Sequence, residues 1–391
     1  MRRTGRAMSH LLCAALLLAT NVGIANAQGD AAAADKSQPM AAQLVRQLGS
    51  SSYRERELAT SELSKLGLAA KSALLEGLRD PDAEIRLRCQ RVLVDVMEQD
   101  YQARLAAFAA DKEGKSDHQL PGWDRFRGQI GEHPEARALF VEMLRADPAT
   151  MEATESKPAR AAEVLALRCQ QVHESLYGQN FGERQPASTG TISALFFLAG
   201  NAEVASNDQT TMQLGNLGNQ FQNQLTNGPK ADMLRKLLGG WIARTDGSPA
   251  AFQAIQLALR FDLPEGLSPA IQACQKANGQ THLFMYAALA VGKFGNKDQV
   301  AVLEPMLENT NICLNYNINN EMHKAEVRDV ALAVLLHLTG QDAKEYGFTR
   351  LEKNQMYLYN PTSLGFREKD ERPGFDKWKA WSAEQKKAGK G

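Results

Sequence analysis

Apolar residues recur along this chain at helical spacing, and four stretches share one pattern. An anchor residue is followed by a small residue at +3, by apolar residues at +7 and +10, and in two copies by glycine at +11. The first copy is Arg56, Ala59, Leu63, Leu66 and Gly67, and the second is Arg86, Cys89, Leu93 and Val96. Two more follow near the C-terminus: Phe284, Ala287, Val291, Phe294 and Gly295, then Arg328, Ala331, Leu335 and Leu338. Steps of three and four place these residues on one face of a helix, and the glycine reads as its C-terminal stop. A repeated unit of this kind cannot bury its apolar face alone, so neighbouring units must stack.

The pattern predicts helices over most of the chain. Met40 to Leu48 reads as a short amphipathic helix. Ser50-Ser51-Ser52 supplies N-caps for a helix from Tyr53 to Leu66. Ala69 to Leu78 follows, and Asp80-Pro81-Asp82 caps a helix to about Gln99, with Pro81 in the tolerant first turn. In the middle, helices are expected at Trp123 to Ile130, Pro134 to Arg145, Ala161 to Tyr177, Thr191 to Ala199 and Met233 to Ala243. Gln209 to Thr226 is rich in Gln and Asn, yet Met212, Leu217, Phe221 and Leu225 still form a helical stripe. Alternating β-branched residues are scarce, so no sheet is expected. Asn309 to Asn320 breaks the pattern between a helix at Val300–Leu307 and one from about Lys324 to Leu338. It reads as a variable surface loop or short β-like excursion, with a binding loop as the functional alternative. Beyond Gly340 the chain turns irregular. A last helix from about Pro373 to Lys386 carries Phe375, Trp378 and Trp381, which suit the covering of an open apolar end, with ligand stacking as the alternative.

Asp80-Pro81-Asp82-Ala83-Glu84-Ile85-Arg86 and Glu326-Val327-Arg328-Asp329-Val330-Ala331-Leu332 resemble the start of the second helix of a HEAT repeat. Tyr286 to Leu307 is similar to one HEAT helix, a tight Gly-Asn turn and the next helix. The resemblance covers Met40–Gln99 and Ser248–Gly340 and points to an exported bacterial HEAT-repeat protein. It implies an all-α fold, a HEAT-like α-α superhelix or solenoid with an irregular C-terminal capping segment. It also implies that Arg56, Arg86 and Arg328 bridge to acidic residues of neighbouring repeats, with an arginine ladder for an anionic ligand as the alternative. The expected organisation is 40–112 for N-terminal HEAT-like repeats, 113–247 for degenerate helical repeats, 248–342 for C-terminal HEAT-like repeats and 343–391 for the tail with its capping helix.

Export follows from the first residues. Arg2, Arg3 and Arg6 precede an apolar run from Leu11, and Ala25-Asn26-Ala27 supplies a cleavage site, so 1–27 reads as a signal peptide and 28–39 as a linker. The expected location is periplasmic or extracellular, with no transmembrane segment left after cleavage. The whole chain balances 45 basic against 45 acidic residues. Cleavage removes three arginines and no acid, leaving a net charge of −3, which argues against nucleic acid as a partner. Lys377, Lys379, Lys386, Lys387 and Lys390 form a basic tail that reads as solvated. Four cysteines remain: Cys89, Cys169, Cys274 and Cys313. Cys89 fills a small-residue position and reads as a core hydrophobe. Cys274 and Cys313 are the one plausible disulfide pair.

Motifs for chemistry are missing. The histidines make no H-x-x-x-H or H-E-x-x-H pair, and no G-x-S-x-G, phosphate-binding loop or C-x-x-C occurs. The reading is therefore a non-enzymatic scaffold that binds a protein or envelope component. No catalytic, cofactor-binding or metal residue is assigned, no cofactor is implied, and the binding residues and oligomeric state stay open. The alternatives are an enzyme or enzyme-associated HEAT-like subunit, and a nucleic-acid-binding HEAT solenoid. The Asn-rich stretch, the irregular middle and the aromatic tail are the places where a site is expected.

Overall fold

A computed structural model describes residues 31–177, 186–276 and 280–388, so the expected signal peptide lies outside the described residues. The chain is mostly helical and divides into two compact units, Met1–Ala106 and Ala107–Gly391.

The first unit contains α1 (Ala31–Gln47), α2 (Tyr53–Leu66), α3 (Lys71–Gly77) and most of α4 (Ala83–Ala110). The expected linker is thus helical from Ala31, where four consecutive alanines favour a helix more than any other residue would. Ser52 caps α2 by accepting the N–H of Glu55, and Gly67 stops it with φ of 58°. Ala59, Leu63, Leu74, Cys89, Leu93 and Val96 share one buried core. Cys89 indeed serves as filler. A Cβ placed on Gly77 would come 2.4 Å from its sulfur, and burial pushes its thiol up to about 11.

Arg86 does something different from what the resemblance implies, and Arg56 follows it only in part. Arg56 donates from Nη1 to the carbonyls of Ser50 and Ser51, at 2.6 and 3.2 Å. Arg86 donates in the same way to Asp80 and Pro81, both at 2.7 Å. Each therefore grips the turn five and six residues before it. The link between helices comes mainly from Arg88 of α4, which meets Glu57 of α2 at 2.9 Å and is held by Glu84 of its own helix at 2.6 Å. Arg56 adds a longer approach to Glu84 at 3.6 Å.

The second unit opens with α5 (Trp123–Ile130), α6 (Pro134–Ala146), α7 (Pro148–Glu152) and α8 (Pro158–Tyr177). The next helix, α9 (Thr189–Ala199), is buried at every position from Gly190 to Ala199. Such all-round burial fits a central helix, and α6, α8 and α12 (Ala231–Ile242) pack around it. Between them run α10 (Asp208–Gln220) and α11 (Gln222–Asn227). Then come α13 (Phe252–Phe261), α14 (Leu267–Lys276), α15 (Thr281–Phe294) and the single turn α16 (Val300–Leu303). Cys274 and Cys313 lie in one core cluster, but both are free buried thiols, as is Cys169.

The Asn-rich stretch overturns the expectation of no sheet. β1 (Ile312–Ile318) and β2 (Glu321–Glu326) form an antiparallel hairpin, and only then does α17 (Val327–Thr339) begin. The connecting residues Asn319 and Asn320 have φ of 49° and 64°, as a two-residue type I′ turn requires. Asparagine tolerates this left-handed region. A tiny ribbon of β3 (Lys353–Asn354) and β4 (Leu358–Tyr359) follows, and β5 (Phe366–Arg367) adds to the other side of β2, giving the order β1-β2-β5. The final helix α18 (Gly374–Ala388) buries Trp378 in the core, 5.0 Å from the half-buried Trp381. Its lysines are not merely solvated: Lys377, Lys379 and Lys386 meet Glu345, Glu308 and Glu304.

The tail is latched to the start of α17. Glu326 and Asp329 form a capping box, with Asp329 Oδ2 accepting the Glu326 N–H at 2.9 Å. Arg372, from the tail, lies 3.2 Å from both Glu326 Oε1 and Asp329 Oδ1. Arg328 pairs at 2.7 Å with Glu326, the N-cap of its own helix, rather than across repeats. Asp329 is fully buried, and burial raises its carboxyl to about 6 despite the Glu326 N–H and Arg372. The folded chain therefore holds this proton more tightly than the unfolded chain. The resulting stability is full below the unfolded value of 3.8 and is lost as pH rises from there through about 6. Asp329→Asn has no such proton. Relative to the wild type it should gain roughly 1–3 kcal/mol between about pH 4 and pH 7.5, measured by denaturant unfolding at both pH values.

Candidate functional site

The hairpin, the segment after α17 and the segment around β5 enclose a cleft of about 590 Å3. Each wall has a local cause. The Asn-Asn turn brings Ile318 and Glu321 together, and Gly365 lets the tail approach β2 closely. A Cβ on Gly365 would come 2.8 Å from the Lys324 backbone and from the Tyr316 hydroxyl. That hydroxyl accepts the Gly365 N–H at 3.1 Å.

His323 of β2 lines the cleft and is 4 % exposed. Its ring lies nearly parallel to Tyr316, 11° off at 5.5 Å. Its Nδ1 sits 3.0 Å from the Glu321 carbonyl. A carbonyl only accepts, so Nδ1 carries a proton and donates it there. Phe348 and Phe366, 5.0 Å apart, supply apolar lining.

The charged lining is mostly self-paired. Arg367 meets Glu321 at 3.1 Å and Asp370 at 3.0 Å, and Lys369 meets Glu321 at 2.9 Å. Lys369, then Arg367, holds the Glu321 carboxyl below its ordinary range. Two lining charges stand apart. Arg350 reaches the Tyr316 hydroxyl, and neither it nor Glu371 has an ion-pair partner among the described residues. Both are exposed.

A second surface runs over α10, α13 and α15, which pack in succession. Gly215 and Gly218 bring α10 close to α13: added Cβ atoms would meet Gln253 at 2.7 Å and Leu257 at 2.6 Å. The Gln and Asn residues of this region form a seam there. Gln253 donates to Asn216 at 2.8 Å, and Arg260 donates to Asn219 at 3.1 Å and Gln222 at 3.3 Å. The seam continues into aromatic residues. Phe252 lies 5.3 Å from His282 and 5.6 Å from Tyr286, and Tyr286 lies 5.6 Å from Tyr357 of the β3–β4 turn. Burial, then Tyr357, raises the Tyr286 phenol above its ordinary value. Phe252, Gln253, Tyr286 and Tyr357 are half-buried and His282 is exposed, so the band meets solvent.

Of the regions expected to hold a site, the Asn-rich stretch forms one wall of the cleft. The irregular tail forms the others. The tryptophans of α18 pack inward instead, Trp378 being 1 % exposed. His323, Arg350, Glu371 and the aromatic band were not singled out by sequence. The readable signal was an Asn-Asn pair between two alternating segments, ICLNYNI and EMHKAE. Among the described residues no cluster of His, Cys, Asp or Glu is arranged to hold a metal ion, and no helix is long and apolar enough to cross a membrane. No protein-family model matches the chain, and no curated protein is significantly similar to it.

The hairpin turn can be tested directly. Asn320→Val places a β-branched residue at positive φ and should cost about 1–2 kcal/mol in denaturant unfolding, whereas Asn320→Gly should cost nothing.

Proposed function

We propose that this chain is an exported, non-enzymatic scaffold of stacked HEAT-like helix pairs that holds a protein or envelope component. The observation that carries the reading is the band of amides and aromatics over α10, α13, α15 and the β3–β4 turn. Helices packed in succession present one continuous surface, which suits an extended partner. Half-buried tyrosine, histidine and phenylalanine offer rigid contact area with polar tips, the composition favoured at interface hot spots. Amides supply both donors and acceptors without the desolvation cost of a full charge. The matching grips of Arg56 and Arg86 support the repeat reading in the first unit.

The test uses tagged protein expressed with its leader and recovered from envelope fractions. The recovered chain should begin at Gln28, and a partner should co-purify with it. The triple variant Gln222→Ala, His282→Ala, Tyr357→Ala alters exposed or half-buried side chains and should stay folded, with an unfolding temperature lowered by only a few degrees. It should lose the partner at least tenfold, on the scale of two or more hot-spot contacts. Retention of the leader, or capture that ignores the variant, overturns the reading.

A further inference from the structure

We propose that the cleft beside the β1–β2 hairpin binds a small zwitterion of the amino-acid class, either a free amino acid or a short peptide with both termini unblocked. The proposal is independent of the partner-binding band, which shares no residue with the cleft. It starts from charge matching. Four charged lining residues, Glu321, Arg367, Lys369 and Asp370, satisfy one another. Arg350 and Glu371 are left, of opposite sign, in one cleft and without an ion pair between them. A simple anion would match Arg350 and be repelled by Glu371, and a simple cation would meet the reverse. A neutral ligand would leave both unmatched. A molecule carrying carboxylate and ammonium groups matches both at once.

The remaining lining fits the same class. Arg350 offers the planar donor fork that suits a carboxylate, and the hydroxyl of neighbouring Thr349 adds another donor. Glu371 accepts from an ammonium group. The buried His323 has its Nδ1 proton committed to the Glu321 carbonyl, which leaves Nε2 as the ring atom for a polar group of the ligand. Ile318, Phe348 and Phe366 provide apolar contact for a ligand side chain. The volume, about 590 Å3, lies within the range of small-molecule sites and leaves room for one to three residues.

Calorimetric titration of the purified protein tests this. The probes are free L- and D-amino acids and di- and tripeptides, each beside its N-acetyl and C-terminal amide forms. At least one unblocked zwitterion should bind with micromolar to millimolar affinity, and blocking either end should weaken it at least tenfold. Arg350→Met should abolish the preference for a free carboxylate, and Glu371→Gln the preference for a free amine. Both residues are exposed, so both variants should unfold as the wild type does. A panel in which nothing binds, blocked forms that bind as well as free ones, or variants that keep both preferences would each overturn the proposal. None of these outcomes bears on capture by the aromatic band.

Discussion

A carboxylate with no access to water sits at the start of α17, and the C-terminal part of the second unit is arranged around it. Asp329 is bound by its own helix through the Glu326 N–H and by the tail through Arg372. An isolated buried charge would be strongly destabilising, so Asp329 requires partners wherever the chain places it. The arginine that answers it arrives from a segment more than forty residues away, which fixes the path of everything between. β5 can then pair with β2, and α18 can lay Trp378 on the core. The cleft exists because that path closes over the hairpin. Desolvation of the two charges opposes the attraction between them. The clearer effect of the pair is to make one arrangement of the tail preferable to others.

Helices were the legible part. Spacing of three and four located α2, α4, α15 and α17, because an apolar stripe at that period has one stable use. The end of α2 was legible for an equally local reason, since glycine at positive φ is a distinctive stop. Strands were legible only as a short β-like alternative in the Asn-rich stretch. β1 alternates, but its outward positions carry asparagine, which lacks the propensity that marks a strand. β2 carries glutamate, histidine and lysine, and its last residue looks like a helix start because Glu326 is the N-cap of α17. Pairing of the two strands overrides both weak signals, and pairing is not a property of either segment alone.

The cleft was less legible still. His323 is three residues from a turn and four before an ordinary helix begins, and nothing local distinguishes it from the other histidines. Its geometry comes from Tyr316 across the hairpin and from the Glu321 carbonyl. The Gln and Asn residues around α10 were visible as a compositional oddity. Their use as an interhelical seam depended on Gly215 and Gly218 bringing α13 within reach. Composition shows that polar groups are available, and packing decides whom they meet.

The arginine anchors carry a consequence of their own. A guanidinium that spans back to two particular carbonyls fits only a turn of one contour, so Arg56 and Arg86 act as gauges of loop length. A residue added to either turn would carry the carbonyls out of register. Arg328 takes Glu326 instead and leaves its turn ungauged. Among the three arginine-anchored copies, that is the one whose connection has grown into a hairpin with a cleft beside it. Novelty in this chain sits where the measuring residue has let go.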